Sequence, residues 1–382
     1  MKNHRKYNRE HLCTDPNWIS TCCFLLFILF SFQQLHAQTQ PPLGQHDGPY
    51  LFNEAGKTKS IRVVDGKIQV DNLLQEPFSV CTEDGQYRFE ISRHPIIVPK
   101  WSYRRSEKIM VLSDPHGDFT SFYAILKAQK VIGANYEWIF GKNQLVIIGD
   151  VFDRGKDVLP IFWLIYKLEG EAAKAGGQVH FLFGNHEEML MRGNYKYTQD
   201  KYKALAEAIG KSYRDFWSSE TELGRWLQCK NTMEKIGDYL FVHAGLSAAM
   251  QDPKWTIPAV NDSVRRYLFH TKEERQQSEA ASLLFGSEGP LWYRGMVREE
   301  EKYHPLSEAD LNKLMKIYGA KHIFVGHTIF PEVSSFYQGK VYGVNVSNES
   351  NRLKGGSRGL LIEGDKMLLI YDDATKNKVI AR

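Results

Sequence analysis

Five short blocks of the 382-residue chain gather side chains that hold divalent cations, move protons or grip anions. The first is Asp114-Pro115-His116-Gly117-Asp118, where carboxylate oxygen and imidazole nitrogen stand two positions apart in a turn and can reach one ion together. The second, Gly149-Asp150-Val151-Phe152-Asp153-Arg154-Gly155, sets two carboxylates and an arginine between glycines that let backbone approach a buried ion or anion closely. Gly184-Asn185-His186-Glu187 is the third, and His243-Ala244-Gly245 and Gly326-His327-Thr328 complete the set. Each block alone says little. A lone histidine after an apolar strand is more often a hydrogen-bonded core residue than a ligand, and aspartate and histidine flank prolines in turns by chance. Their coincidence is what argues for one shared centre.

The elements that must position them are legible as well. Every block follows an apolar run of strand length, at 108–113, 144–149, 179–183, 239–242 and 322–325, and helix-length amphipathic segments at 119–132 and 158–175 separate the first three. Strands alternating with helices indicate a layered α/β domain, and successive strand ends then deliver their blocks to one rim of the sheet. Residues 189–228, rich in charged and aromatic side chains such as Tyr195, Tyr197, Tyr202, Tyr213, Trp217 and Trp226, read as a helical insertion over that rim. For any one of these aromatics, packing on the core is the commoner fate, although together they can wall a pocket for a phenyl ring. Residues 251–290 are weakly patterned and read as a surface excursion, and the chain closes with a strand at 340–346 and a hairpin at 359–371 around Gly364-Asp365. Residues 38–106 form a small β-rich extension, with a hairpin turn at Asp65-Gly66 and a hinge marked by Pro95 and Pro99.

Composition bounds the function classes. Apolar residues make up 42% and charged residues 25%, as in ordinary globular proteins, and 49 basic against 45 acidic residues leave no basic excess of the kind that nucleic-acid binding requires. The chain opens with Lys2, Arg5, Lys6 and Arg9, followed by the apolar run at 20–32 and a small residue, Ala37. This is the pattern of a secretory signal peptide over residues 1–37, with an uncleaved anchor as the alternative, and it predicts a periplasmic or secreted protein with no stable membrane insertion after cleavage. Three of the five cysteines fall in that leader, which leaves Cys81 and Cys229 as two separate thiols or one bridge, and no pair with zinc-finger spacing.

Taken in order, the five blocks resemble the D-x-H-G, G-D-x-x-D-R-G, G-N-H-E, H-G/A-G and G-H blocks of the calcineurin-like metallophosphoesterases, within their phosphoprotein phosphatase branch. The run Gly224-Arg225-Trp226-Leu227, Lys235-Ile236-Gly237-Asp238 and Leu291-Trp292-Tyr293-Arg294-Gly295 is similar to the Shewanella-like bacterial protein phosphatases. The resemblance spans about 108–372 and leaves the extension before residue 106 outside it. It implies a metallophosphoesterase β-sandwich flanked by helices, over a catalytic domain at 107–382. It also implies that Asp114, His116 and Asp150 hold one metal, and that Asp150, Asn185, His243 and His327 hold a second. A bridging carboxylate suits two ions about 3.5–4 Å apart that activate a shared water. His186, oriented by Asp153, is then the proton donor, and Arg154 and Arg294 hold the phosphoryl oxygens. Manganese is the first expectation for the two divalent ions, with iron and zinc open.

Two departures matter. Ile329 stands where many relatives outside the phosphoprotein branch carry a second histidine, and Val344-Asn345-Val346-Ser347-Asn348 occupies the place of the S-A-P-N-Y-C loop of eukaryotic enzymes. The N-x-S sequons at Asn345 and Asn348 have meaning only in a glycosylating host. The implied activity is that of a metal-dependent phosphomonoesterase acting on phosphorylated protein, with phosphotyrosine preferred. A diadenosine tetraphosphate hydrolase-like enzyme, a small-molecule phosphatase and an inactive binding module are the alternatives.

Overall fold

The computed structural model describes residues 42–54 and 56–381, and the expected leader lies outside these residues. Residues Pro42–Arg382 cluster as one compact unit. The extension supplies β1 (His46–Glu54), β2 (Lys57–Val64) and β3 (Lys67–Asp71) as a three-stranded antiparallel sheet, then the hairpin β4 (Phe78–Cys81) and β5 (Arg88–Ile91). The β2–β3 turn is at Asp65-Gly66 as the sequence predicts, and both residues take the positive φ that such a tight turn requires.

Two six-stranded sheets then face each other. One contains β6 (Ser102–Tyr103), β10 (Met233–Ile236), β11 (Tyr239–Val242), β12 (His322–Val325), β13 (Ser334–Phe336) and β14 (Val341–Gly343), in the order β13-β14-β12-β11-β10-β6. The other contains β7 (Lys108–Leu112), β8 (Gln144–Ile147), β9 (Gln178–Phe181), β15 (Gly359–Glu363), β16 (Lys366–Ile370) and β17 (Lys378–Ala381), in the order β17-β16-β15-β7-β8-β9. Strands β7, β8 and β9 run parallel, as their helical crossovers demand.

The two-residue period of a strand decides which core each side chain joins. Ile109 and Val111 point between the sheets, where they meet Phe241, Phe324, Leu360 and Ile362, whereas Met110 and Leu112 point to the helix-covered face. Across the first sheet Phe241, Phe324 and Tyr342 stack with centroids 4.9 and 5.4 Å apart.

The helix Val158–Ala175 has the bounds its periodicity predicts and ends on Gly176 at positive φ, the favoured C-terminal stop. The expected helix at 119–132 is shorter. It starts on Asp118, whose carboxylate caps Ser121 N–H, and stops at Ala128 because the chain turns through Lys130 at positive φ to bury Val131 and Ile132. The reading of 251–290 as a surface excursion is also corrected. It forms helices Ile257–Tyr267, Lys272–Arg275 and Glu279–Leu284, with Val260, Val264 and Leu284 fully buried. Asn261 anchors this region, since its side-chain oxygen accepts from the N–H groups of Thr232 and Met233.

Most aromatics of 189–228 join the core. Tyr202, Tyr213, Trp217 and Trp226 are buried, Trp217 against Phe152 and Phe162, and Tyr197 alone of the six stands exposed. The extension packs on Val158–Ala175, where Trp163 donates to the Pro49 carbonyl and meets Phe78, and Tyr166 stacks on His94. Cys81 and Cys229 are free thiols. No helix among the described residues is long and apolar enough to cross a membrane.

Candidate metal centre and phosphate cleft

The strands β7, β8, β9, β11 and β12 each end just before one of the five blocks, so their C-terminal ends bring the blocks to one rim. A cleft of about 1110 Å³ opens there, lined among others by Asp114, His116, Asp150, Arg154, Asn185, His186, Arg294 and His327. His243 lies beneath it, fully buried. All ten residues singled out from the sequence therefore meet at one place, either lining the cleft or, like Asp153 and His243, directly behind it.

Strained backbone marks the same spot. Asp114, His116, Asp150, Asp153, Arg154 and His327 all take positive φ, half of the non-glycine residues described that do so. Side chains avoid that region unless the surroundings enforce it, and such strain gathers where a ligand must be met at a fixed angle. Glycine is required beside it: a Cβ on Gly184 would collide with the Asp150 carboxylate, and one on Gly326 with Asp114 and Ser113.

The donors form two clusters that share Asp150. His116, Asp150 and His186 make one, and Asp150, His243 and His327 the other, with ligand atoms within 4.8 Å of one another in each. Asp114 adjoins the first, its Oδ1 3.9 Å from His116 Nε2, and Asn185 adjoins the second, its Oδ1 3.1 Å from His243 Nε2. His243 Nε2 also lies 3.2 Å from Asp150 Oδ2. Nδ1 of His116 meets the Phe152 carbonyl at 2.8 Å, and Nδ1 of His243 meets that of Ile148 at 2.7 Å. A carbonyl only accepts, so both Nδ1 atoms carry a proton and both Nε2 atoms are turned inward, the orientation of ligating histidines.

His186 belongs to the first cluster by distance, with Nε2 4.0 Å from Asp150 Oδ2, while its Nδ1 is held at 2.6 Å by Asp153 Oδ2. Asp153 is fixed in turn by the Thr198 hydroxyl, which donates to its other oxygen.

The electrostatics call for cations. Burial lifts the Asp114 carboxyl to about 7, with the Asp150 charge adding to it, and burial lifts Glu187 likewise to about 7. Burial also opposes the charge on Asp150, but the imidazoles of His243 and His186 outweigh it and hold this carboxyl well below the usual range. His243 is raised to about 9, since the attraction of Asp150 overcomes its burial, and His327 is pushed far down by burial and by His243. Two buried atoms, Asp114 Oδ1 and His327 Nε2, have no hydrogen-bond partner at all. An oxygen and a nitrogen orphaned beside clustered carboxylates fit divalent metal ions, and a donor set without thiolate suits borderline or hard ones.

On the cleft side, Arg294 donates to the Thr328 hydroxyl at 2.9 Å, and the Arg154 guanidinium lies 5.5 Å from the Tyr197 ring centre. Neither is paired with a carboxylate among the described residues, so both forks are free for an anion.

The sequence assigned no role to three residues here, and left a fourth, Tyr197, as one of several aromatics. Glu187, part of the third block, accepts from the N–H groups of Asp150, Val151 and Gly184 at 2.7–2.9 Å and so pins two blocks together. Buried Glu188 anchors Arg192, Arg275 and the Trp292 indole. Asn348 donates to the Asp114 carbonyl. Tyr197 stands at the cleft mouth, its ring 5.4 Å from that of His186. The sequence carried a signal for Glu187, its place inside a donor block, and for Tyr197, its place among the aromatics of 189–228 that could wall a pocket.

Comparison with known proteins agrees with this geometry. The calcineurin-like phosphoesterase family model matches residues 107–331. The chain is 30% identical over 226 residues to Shewanella-like protein phosphatase 1 of Plasmodium berghei, covering 59% of this chain and 62% of that one. It is 26% identical to Shewanella-like protein phosphatase 2 of Arabidopsis thaliana, covering 59% and 67%. The chain thus spans about two thirds or less of the length of these curated relatives. Among solved structures, the cold-active protein-tyrosine phosphatase of a psychrophilic Shewanella species superposes with TM-score 0.79 at 30% identity, over 87% of this chain and 99% of its own. That share exceeds what residues 107–382 can supply, so the extension, expected to fall outside the resemblance, is partly within it. With its donor blocks gathered on one rim of a two-sheet sandwich and this family model matching more than half its length, the chain belongs to the calcineurin-like phosphoesterase family.

Proposed function

We propose that the protein is a metal-dependent phosphomonoesterase that acts on phosphorylated proteins, phosphotyrosine above all, and works outside the cytoplasm. The observation that carries the reading is the pair of donor clusters sharing Asp150, set against two unpaired guanidiniums in one cleft. Relatives named as protein phosphatases, and a structural neighbour named as a protein-tyrosine phosphatase, support the substrate class. The basic start and apolar run of the leader support export.

Asp114, His116 and Asp150 would hold one divalent ion, and Asp150, Asn185, His243 and His327 another, with manganese first and iron or zinc compatible. When bound, such ions act as Lewis acids and supply a nucleophile near neutral pH.

The chain's own residues do the rest. Arg154 and Arg294 grip the equatorial phosphoryl oxygens and fix the ester bond in line with attacking water. His186 lies between its Asp153 partner and the cleft, and although burial opposes its charge, Asp150 and Asp153 raise its pKa and so favour the protonated form. As the new P–O bond forms and the ester P–O bond breaks, the departing oxygen takes the proton from His186 Nε2. Tyr197 beside His186 is an apolar wall where a leaving phenol ring would emerge.

The test compares initial rates of the manganese-loaded protein on phosphotyrosine peptide, phosphothreonine peptide and diadenosine tetraphosphate, with Asp150→Asn as the blank. Fastest turnover of phosphotyrosine, absent in the blank, is the expected result. Preference for the dinucleotide would move the assignment to the hydrolase alternative, and no metal-dependent turnover of any of the three would sink the reading.

A further inference from the structure

A second cleft, of about 820 Å³, lies at the opposite ends of the strands that carry the metal centre. It runs between the segment 97–106 and the starts of β8 and β9, at Lys142, Gln144 and Gln178. No carboxylate lines it, yet four cations do. Arg105 is shared with Asp238 and Asp365 at 3.8 and 3.6 Å, whereas Lys100, Arg104 and Lys142 are exposed and unpaired among the described residues. In a chain whose basic and acidic residues nearly balance, four cations with so little counter-charge stand out.

The wall of this cleft is unusual in a second way. Ile97 and Val98 in the wall are 70% and 60% exposed, and Trp101, next to the lining residues in the chain, is 42% exposed, so three large apolar side chains within five residues face solvent. Exposed apolar groups scattered singly need no explanation, but a cluster beside a charged cleft is the mark of a contact surface. The floor is already built. The Gln144 side-chain oxygen accepts from Ser106 N–H and hydroxyl at 3.0 Å, and its amide donates to the Arg104 carbonyl and to Gln178 Oε1. With the floor satisfied internally, what remains to be matched is positive charge and apolar surface.

We propose that this cleft docks an extended, acidic segment of a partner protein, whose apolar side chains cover Ile97, Val98 and Trp101 while its carboxylates meet Lys100, Arg104 and Lys142. Charge complementarity selects the occupant. A second copy of this chain, joined through the same face about a two-fold axis, would set these cations against themselves. A bilayer is flat where the cleft is concave, and a nucleic acid has no use for Ile97 and Val98. Because the cleft is at the far ends of the strands, an occupant leaves the phosphate cleft open, and the protein can hold a partner while it works on a substrate.

The test is fluorescence anisotropy of two labelled eight-residue peptides, one alternating glutamate with leucine and the other lysine with leucine. The wild-type protein is expected to bind the acidic peptide at least tenfold more tightly, with affinity falling as salt rises. The triple variant Lys100→Glu/Arg104→Glu/Lys142→Glu should reverse that preference. Ile97→Ser/Val98→Ser should weaken binding of the acidic peptide several-fold while keeping the preference for it. Hydrolysis of a small aryl phosphate, measured in parallel, should be unchanged in both variants, which shows them folded. Equal affinity for the two peptides, no binding of either, or wild-type binding by the variants would overturn the proposal. So would co-sedimentation with phosphatidylglycerol vesicles, lost in the same variants, without a peptide preference, since the surface would then belong to a membrane.

Discussion

Asp150 is shared by both donor clusters, so no other single side chain has as much to lose. Asp150→Asn is expected to lower bound metal, measured by elemental analysis, by more than about 100-fold in affinity, with near-ultraviolet circular dichroism unchanged. The metal-free site also has a definite response to pH. Asp114 and Glu187 have folded pKa values near 7, above their unfolded ones, and His243 is raised to about 9. A group raised in the folded state contributes stability at low pH and loses it as pH climbs through the folded value. Between pH 6.5 and 9 all three act in that direction, while His116 and His327, both pushed down, oppose it only at the acid end, where the unfolded imidazoles are partly protonated. The chelated protein should therefore melt several degrees lower at pH 9 than at pH 6.5, and added metal should flatten the slope. At the cleft mouth, Tyr197→Ala removes the ring beside His186. If that ring carries an aryl leaving group, kcat/KM on phosphotyrosine should fall about 3- to 10-fold while the value on phosphoserine holds, the scale of one aromatic pair.

Elements set the precision with which these residues meet. The loop after β8 carries Asp153 and Arg154, and it is tied down from two sides. Gln199 donates to the Arg154 carbonyl, and Tyr202 to that of Lys156. From the extension, the Glu83 N–H donates to Asp157 at 2.6 Å, and the Glu83 carboxylate accepts from buried Lys201 at 2.7 Å. Lys201 also lies 3.9 Å from Asp47, a buried carboxylate with one oxygen otherwise unpartnered. Lys201→Met would strand both acids, a loss on the order of 3–5 kcal/mol, and should lower Tm by roughly 4–7 °C in calorimetry. This tie was invisible in the sequence because Glu83 and Lys201 are more than a hundred residues apart and each looks like an ordinary surface charge. The strand β10 was equally hidden, since Met-Glu-Lys-Ile shows no alternation until Glu234 is seen to be buried against His180. Helix Val158–Ala175, by contrast, was legible to the residue, because a buried helix with a glycine stop writes its period and its end into the chain.

At the scale of the whole molecule, the extension and the sandwich share one core. Phe78, Trp163, Tyr166 and Trp226 belong to a single buried cluster that also contains Phe52 and Ile91. A fragment of residues 107–382 would expose Trp163 and Tyr166, and it is expected to be insoluble or to lack a near-ultraviolet signal, whereas residues 38–382 should give one cooperative transition. The amino-acid sequence by itself determined the donor types, their order and the strands that precede them, since short apolar runs ending in Asp, Asn and His are local facts. It also determined the Asp65-Gly66 turn, which needs only its own backbone conformation. Tertiary structure alone decided that Glu187 pins two blocks together, that Tyr197 faces the cleft while Tyr202 and Trp217 fill the core, and that 251–290 packs rather than wanders. The reason is physical. Burial, and the pairing of charges distant along the chain, are set by which elements come to face one another, and no local pattern of residues carries that information.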